Sequence, residues 1–257
     1  MKRTIPLLLC LCNPSWATFT ARQNGVRGDC PSTSTCTSGA FPGTPTVGDL
    51  LVCGVTTFTS SASCGTVNSV QIGTGNTFTV STHSPSNNNP AADGCAFGYY
   101  ILSAGVVGSS VTVNMSASIS HITFFCDDVA VTGGAVSLDS DIAGHEASAG
   151  TNINTPTIAV AGSNEYLYCA VAGGDTSVTS ANAPWTGNFQ GQISGNYAEY
   201  DLSASANTHC DFTQSSAGWD SLGIAFKQPA VVSGSSTSGL LLKGSKMNIQ
   251  GSKVTVR

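Results

Sequence analysis

The densest run of chemistry-bearing side chains is Asp139-Ser140-Asp141-Ile142-Ala143-Gly144-His145-Glu146. Asp139 and Asp141, two residues apart, share one face of a strand or loop, and oxygen-rich loops of this kind hold Ca2+. Asp139, Asp141 and Glu146 are therefore the candidate metal ligands, with Ca2+ the cofactor they would take. The spacing of an EF-hand loop is incomplete and no Gly sits at its sixth position, so a solvated acidic loop with no metal or cofactor is the preferred reading and Ca2+ the alternative. Asp127 and Asp128 follow the apolar run His121 to Cys126 and mark either its exit or a second cation site. Glycoside hydrolysis needs two carboxyl groups facing each other about 5–9.5 Å apart. Glu199 and Asp201 share a face of one strand, and same-strand neighbours seldom flank a sugar. His83, His121, His145 and His209 each offer the base of a Ser-His-Asp triad. Serine is so frequent here that the coincidence is uninformative. Gly-x-Ser-x-Gly and His-Glu-x-x-His are absent, and no nucleotide-binding glycine pattern opens a helix. These absences point away from an enzyme.

Aromatic rings are the other candidates. A flat ring stacks on the apolar face of a sugar and orders few torsions in doing so. Trp185, Tyr197, Tyr200 and Trp219 are the candidate binding residues. Trp185 sits in the loop-like Asn182-Ala183-Pro184-Trp185-Thr186-Gly187. Trp219 has the opposite strand parity to Leu222, Ile224 and Phe226, which takes it off their face unless it caps the sandwich. For both tryptophans, packing in the core is the competing reading. Asn114-Met115-Ser116 is an acceptor sequon in a host that glycosylates.

The elements that must position these groups are read from composition and spacing. Only 9% of the 257 residues are charged, against about 25% in an ordinary soluble domain. Ser, Thr, Asn and 29 Gly cover the surface instead. All fourteen acids lie between Asp29 and Asp220, and no Lys or Arg occurs between Arg27 and Lys227. Phosphate contacts need cations, so the central region does not bind nucleic acid. The same absence rules out a basic membrane-surface patch there.

Residues 1–17 read as a signal peptide: Lys2 and Arg3, the apolar run Ile5 to Cys12, then Ser15-Trp16-Ala17 before the cut. The run is too short for a bilayer, which takes about 20 apolar residues. Eight cysteines remain: Cys30, Cys36, Cys53, Cys64, Cys95, Cys126, Cys169 and Cys210. An even count in an exported chain implies disulfides, although the pairing stays open. Without a Cys-x-x-Cys pair, zinc is disfavoured. Alternation directs Cys53, Cys95, Cys126 and Cys169 into a core. Cys30 with Cys36, and Cys53 with Cys64, are candidate turn clips.

Short β-rich runs recur between turn clusters, and no window carries a helical stripe. Expected strands are 18–22, 49–58, 67–72, 77–82, 96–102, 110–115, 121–131, 157–161, 165–172, 197–202, 209–214 and 221–226. A dozen strands without crossover helices predict one antiparallel, jelly-roll-like β-sandwich over residues 18–228. Residues 229–239 form a Gly/Ser-rich linker. Residues 240–257 hold two copies of Gly-Ser-Lys-apolar-polar-apolar, at Gly244 and Gly251, and predict a basic strand pair. A frayed tail is the alternative.

The order of segments resembles a loosely defined class of secreted bacterial β-sandwich domains found alone or as modules of cell-surface proteins. The matching stretches are Gly48-Asp49-Leu50-Leu51-Val52, Gly75-Asn76-Thr77-Phe78-Thr79, Gly98-Tyr99-Tyr100, Ser110-Val111-Thr112-Val113 and Ile224-Ala225-Phe226-Lys227. They cover residues 18 to 228 and are structural, so the resemblance implies a fold and no catalytic residue. The first expectation is thus a secreted, non-enzymatic surface or adhesion module that binds a glycan or an extracellular protein. The second is a structural subunit of an extracellular filament, coat or virion, self-associating through residues 240–257. A secreted glycoside hydrolase is the third.

Overall fold

The computed structural model describes residues 18–58, 64–85, 94–105, 108–173, 178–180, 183–190, 196–228, 247–250 and 253–256. The leader at 1–17 and the linker at 229–239 lie outside the described residues. Among the described residues there is no helix, and hence none long and apolar enough to cross a membrane. Eight strands form the first sheet: β1 Thr18–Ala21, β2 Val26–Ala40, β3 Leu50–Phe58, β4 Val67–Ile72, β5 Asn76–Thr77, β6 Thr79–Val80, β7 Cys95–Ile101 and β8 Ser110–Thr132. Six form the second: β9 Ser137–Asn154, β10 Glu165–Gly173, β11 Thr179–Ser180, β12 Thr186–Gln190, β13 Asn196–Ala204 and β14 Asp211–Lys227. The chain completes one sheet before it begins the other, and all recorded strand pairings are antiparallel.

Each sheet is organised around one long strand. β8 carries β1 and β2 along one edge and β3 and β4 along the other; β4 pairs onward with β5, and β3 with β7, which pairs with β6. β14 pairs with β9, β10 and β11. Both long strands run straight through segments that the hydrophobic pattern divides. The expected strands 110–115 and 121–131 merge in β8, and 209–214 and 221–226 merge in β14. The ladder is made by backbone groups, so polar residues such as Ser116 and Ser118 do not end it, and bulges absorb the irregularity. β2 and β9 went unanticipated for the same reason, being rich in Ser, Thr, Ala and Gly. The expected strand at 157–161 is reduced to a single bridge between Ile158 and Thr208.

The sandwich fold is as expected, but it holds three apolar clusters. One lies between the sheets and contains Leu50, Val52, Phe125, Tyr166, Tyr168, Ile224 and Phe226. The second is enclosed by the first sheet and contains Leu51, Cys53, Val55, Phe124 and Cys126. The third is enclosed by the second sheet, with Leu167, Cys169, Val171, Cys210 and Phe212. Both faces of the central strands are therefore buried, because each sheet curls over its own outer face. That explains runs such as Leu50-Leu51-Val52 and Phe124-Phe125, which strict alternation does not produce.

The two sheets approach closely at a pair of glycines. Gly54 on β3 is directly opposite Gly98 on β7. A Cβ on Gly54 would run into Ala170 and the Tyr168 ring, and one on Gly98 into Leu222 and Ile224. In that space the Tyr168 hydroxyl donates to the Phe125 carbonyl at 2.9 Å and accepts from the Gly54 N–H at 3.1 Å.

Four disulfides staple the sandwich: Cys30–Cys36, Cys53–Cys126, Cys64–Cys95 and Cys169–Cys210. The first is the expected local clip. The proposed Cys53–Cys64 clip is not formed, because Cys53 lies directly across the ladder from Cys126. All four cysteines placed in a core by parity are buried.

Residues Ser15–Ala230 make one compact unit, and the C-terminal strands belong to another. These strands, β15 Met247–Gln250 and β16 Lys253–Val256, pair with each other as a hairpin.

Candidate functional site

A cleft of about 560 Å³ opens where the end of β1 meets both sheets. β1 pairs with β8 through Ala21 and Val129, and the Arg22 N–H continues the pairing to the Asp128 carbonyl at 3.0 Å. That registers Arg22 and Gln23 over Asp127 and Asp128 of β8. Tyr166 of β10, with Tyr200 and Leu202 of β13, supplies the wall from the second sheet.

The donors on this wall are pinned. Arg22 grips Asp49 with two bonds, Nη2 to Oδ1 at 2.7 Å and Nε to Oδ2 at 2.6 Å, and Asp49 holds the guanidinium proton more tightly than usual. Gln23 is clamped to the backbone of Gly43, donating to its carbonyl at 3.0 Å and accepting from its N–H at 2.7 Å. It also donates to Asp128 Oδ2 at 2.6 Å.

Asp128 is 1% exposed, and its second oxygen, Oδ1, is buried. Burial pushes its carboxyl up to about 6; the Gln23 hydrogen bond and the Arg22 charge oppose this, while a hydrogen bond shared with Asp49 and the Asp49 charge add to it. Asp127 accepts a 3.0 Å hydrogen bond from the Tyr166 hydroxyl, which ties the two sheets together at the cleft. Burial and the Asp127 charge raise the pKa of Tyr166 and of Tyr200. The Tyr166 and Tyr200 rings lie 6.2 Å apart. With Arg22 neutralised by Asp49, the cleft repels anions and favours a hydrogen-bond donor or a cation.

Of the four predicted binding rings, only Tyr200 reaches this cleft. Trp185 and Trp219 are 7% and 6% exposed and pack in the cluster of the second sheet, so neither presents a sugar-binding face. Trp219 does leave the face of Leu222 and Ile224, as its parity requires, but the opposite face is buried too. Tyr197 is half-buried and packs edge-on against Phe212 at 5.9 Å.

The candidate metal ligands are spoken for by protein donors. Asp139 is paired with Lys227 and accepts from the Ala161 N–H at 2.9 Å. Asp141 takes Ser81 Oγ at 2.6 Å, the Thr82 N–H at 2.7 Å and His83 Nδ1 at 3.0 Å. The side chain of Glu146 lies outside the described residues. Among the described residues, no group of three or more His, Cys, Asp or Glu is placed to share a metal ion. Glu199 and Asp201 are buried, with Glu199 accepting from the Asp211 N–H and Asp201 from the Ser203 N–H. His121 pairs with Asp29 and His145 with Asp220.

Asp127-Asp128 carried a legible signal, two adjacent acids inside an apolar strand. Arg22, Gln23 and Tyr166 carried none, since only the β1–β8 register and the stacking of the sheets bring them there. No protein-family model, no curated protein and no solved structure matches the chain. The fold and the cleft define it as an all-β, disulfide-stapled sandwich with an anionic, tyrosine-walled recess.

Proposed function

We propose that this protein is a secreted, non-enzymatic surface module that holds an extracellular protein partner by a cationic group seated in the Asp127–Asp128 cleft. The observation that carries the reading is the acidic wall of the cleft: Asp127 and Asp128 line it together, and the cationic side chain among its lining residues, Arg22, is held by Asp49. A lysine or arginine head also gains from the Tyr200 ring beside it. Four disulfides and the leader-like N-terminus support export. The resemblance to bacterial surface domains is in keeping with an adhesive role.

A glycan fits less well. The broad rings expected to stack on a sugar, Trp185 and Trp219, are in the core. The test is calorimetric titration of the protein with a short lysine- and arginine-containing peptide, alongside a glycan array. Binding to the peptide, weakened by salt and lost in Asp128→Asn, supports the reading. An array hit with no peptide binding replaces it with glycan recognition.

A further inference from the structure

We infer that the cationic group is supplied by the C-terminal hairpin of a second copy, so that the chain assembles head to tail. The inference rests on the cleft reading above and adds the identity of the partner. Its first ground is charge. Residues 18–228 hold all fourteen acids and three bases, Arg22, Arg27 and Lys227. Arg22 is engaged by Asp49 and Lys227 by Asp139. Residues 229–257 hold Lys243, Lys246, Lys253 and Arg257 and no acid. The chain therefore carries within itself the cation that its anionic cleft requires.

The second ground is geometry. β15 and β16 pair from Met247↔Val256 to Gln250↔Lys253, so Lys253 stands at the turn end of a narrow, two-stranded finger. The register puts Met247, Ile249, Val254 and Val256 on one face of that ribbon. A ribbon of two four-residue strands is marginal in water on its own and needs an apolar face covered. Docking at the mouth of the cleft supplies the cover, with Leu202 and Tyr200 as the apolar part of the receiving wall. Cleft and hairpin are different patches of the same chain. Such a contact is heterologous, and repeated from copy to copy it builds an open chain or closes a ring.

The experiment is sedimentation velocity on the full chain across concentration, at low and high salt. Mass that grows with concentration at low salt, and falls back towards the monomer at high salt, is expected from a charge-driven contact. Lys253→Gln and Asp128→Asn should each weaken association about tenfold or more. Lys253→Gln lies outside the sandwich, so its effect cannot come from unfolding it. A synthetic peptide of residues 243–257 should compete and lower the mass. A chain that stays monomeric at every concentration overturns the inference, and so does association that both substitutions leave unchanged. If the chain is monomeric yet still binds the lysine- and arginine-containing peptide through Asp128, the cleft reading stands and only the second copy falls. If no cationic peptide binds, both fall.

Discussion

Asp141, on the second sheet, accepts both the backbone N–H and the hydroxyl of Thr82, in the turn that follows β6 of the first sheet, each at 2.7 Å. Ser81 and His83 add donors to the same carboxylate. One side chain thus closes an edge of the sandwich that no strand pairing joins.

Removing it should loosen that edge. Asp141→Ala leaves Ser81 and Thr82 without their acceptor and should cost about 2–4 kcal/mol. Urea titration measures this as a lower midpoint at unchanged slope. A loss under about 0.5 kcal/mol would show that water replaces the carboxylate freely.

Stability should peak in mild acid. Burial opposes the Asp141 charge, but the Ser81, Thr82 and His83 donors outweigh it and hold the carboxyl down at about 2. That contribution is present above the unfolded value near 3.8 and is lost as pH falls through 2. Asp128 acts in the opposite sense. Its folded value of about 6 lies above the unfolded 3.8, so its contribution is complete below 3.8 and is lost as pH rises through 6. Burial raises Glu165 and Asp201 in the same direction. Unfolding free energy measured from pH 2 to 8 should therefore be highest near pH 4, and Asp128→Asn should flatten the fall between pH 4 and 6.

Ligand binding at the cleft should run the other way. A cation needs Asp128 ionised, so peptide affinity should rise as pH passes 6 and level off above it. Calorimetric titrations at pH 5 and 7.5 decide this. Equal affinity at both would remove Asp128 from the contact.

Gly54 should not tolerate a methyl group. The Cβ of Gly54→Ala would strike Ala170 and the Tyr168 ring across the sheet interface. The expected loss is about 2–4 kcal/mol, since both neighbours are core groups held in place. Tyr168→Phe is the milder companion. It removes the hydroxyl between Gly54 and Phe125 and should cost about 1–3 kcal/mol.

Disulfide mapping tests the topology directly. Cys53–Cys126 and Cys64–Cys95 should be recovered under non-reducing conditions, and Cys53–Cys64 should not. Trypsin cannot make this map, because no Lys or Arg lies between Arg27 and Lys227. Chymotrypsin or pepsin can. Replacing Cys53 and Cys126 with alanine should cost about 4 kcal/mol, in line with the 73-residue separation they span.

Both tryptophans of the sandwich should report burial. In the chain from residue 18, Trp185 and Trp219 should emit at short wavelength and resist iodide quenching. Strong quenching would return at least one ring to the surface.

What the sequence determined by itself was local. Alternation and turn residues mark most strands, and the absence of helical periodicity sets the class, because side-chain period follows directly from backbone geometry. The parity of Cys53, Cys95, Cys126 and Cys169 correctly sends them inward for the same reason. The split between an acidic body and a basic tail needs no coordinates at all. What only the tertiary structure decided was non-local. Parity says that two residues face opposite ways, but not whether each face is wet. Trp219 leaves one buried face only to enter another, because the sheet curls. Cys53 meets Cys126, not Cys64, because the β3–β8 register is set by pairing across 73 residues. Asp128 is buried because the chain that leaves β1 lays Arg22 and Gln23 over it. Strand register and sheet stacking are sums over many long-range contacts, and no short window of sequence contains them.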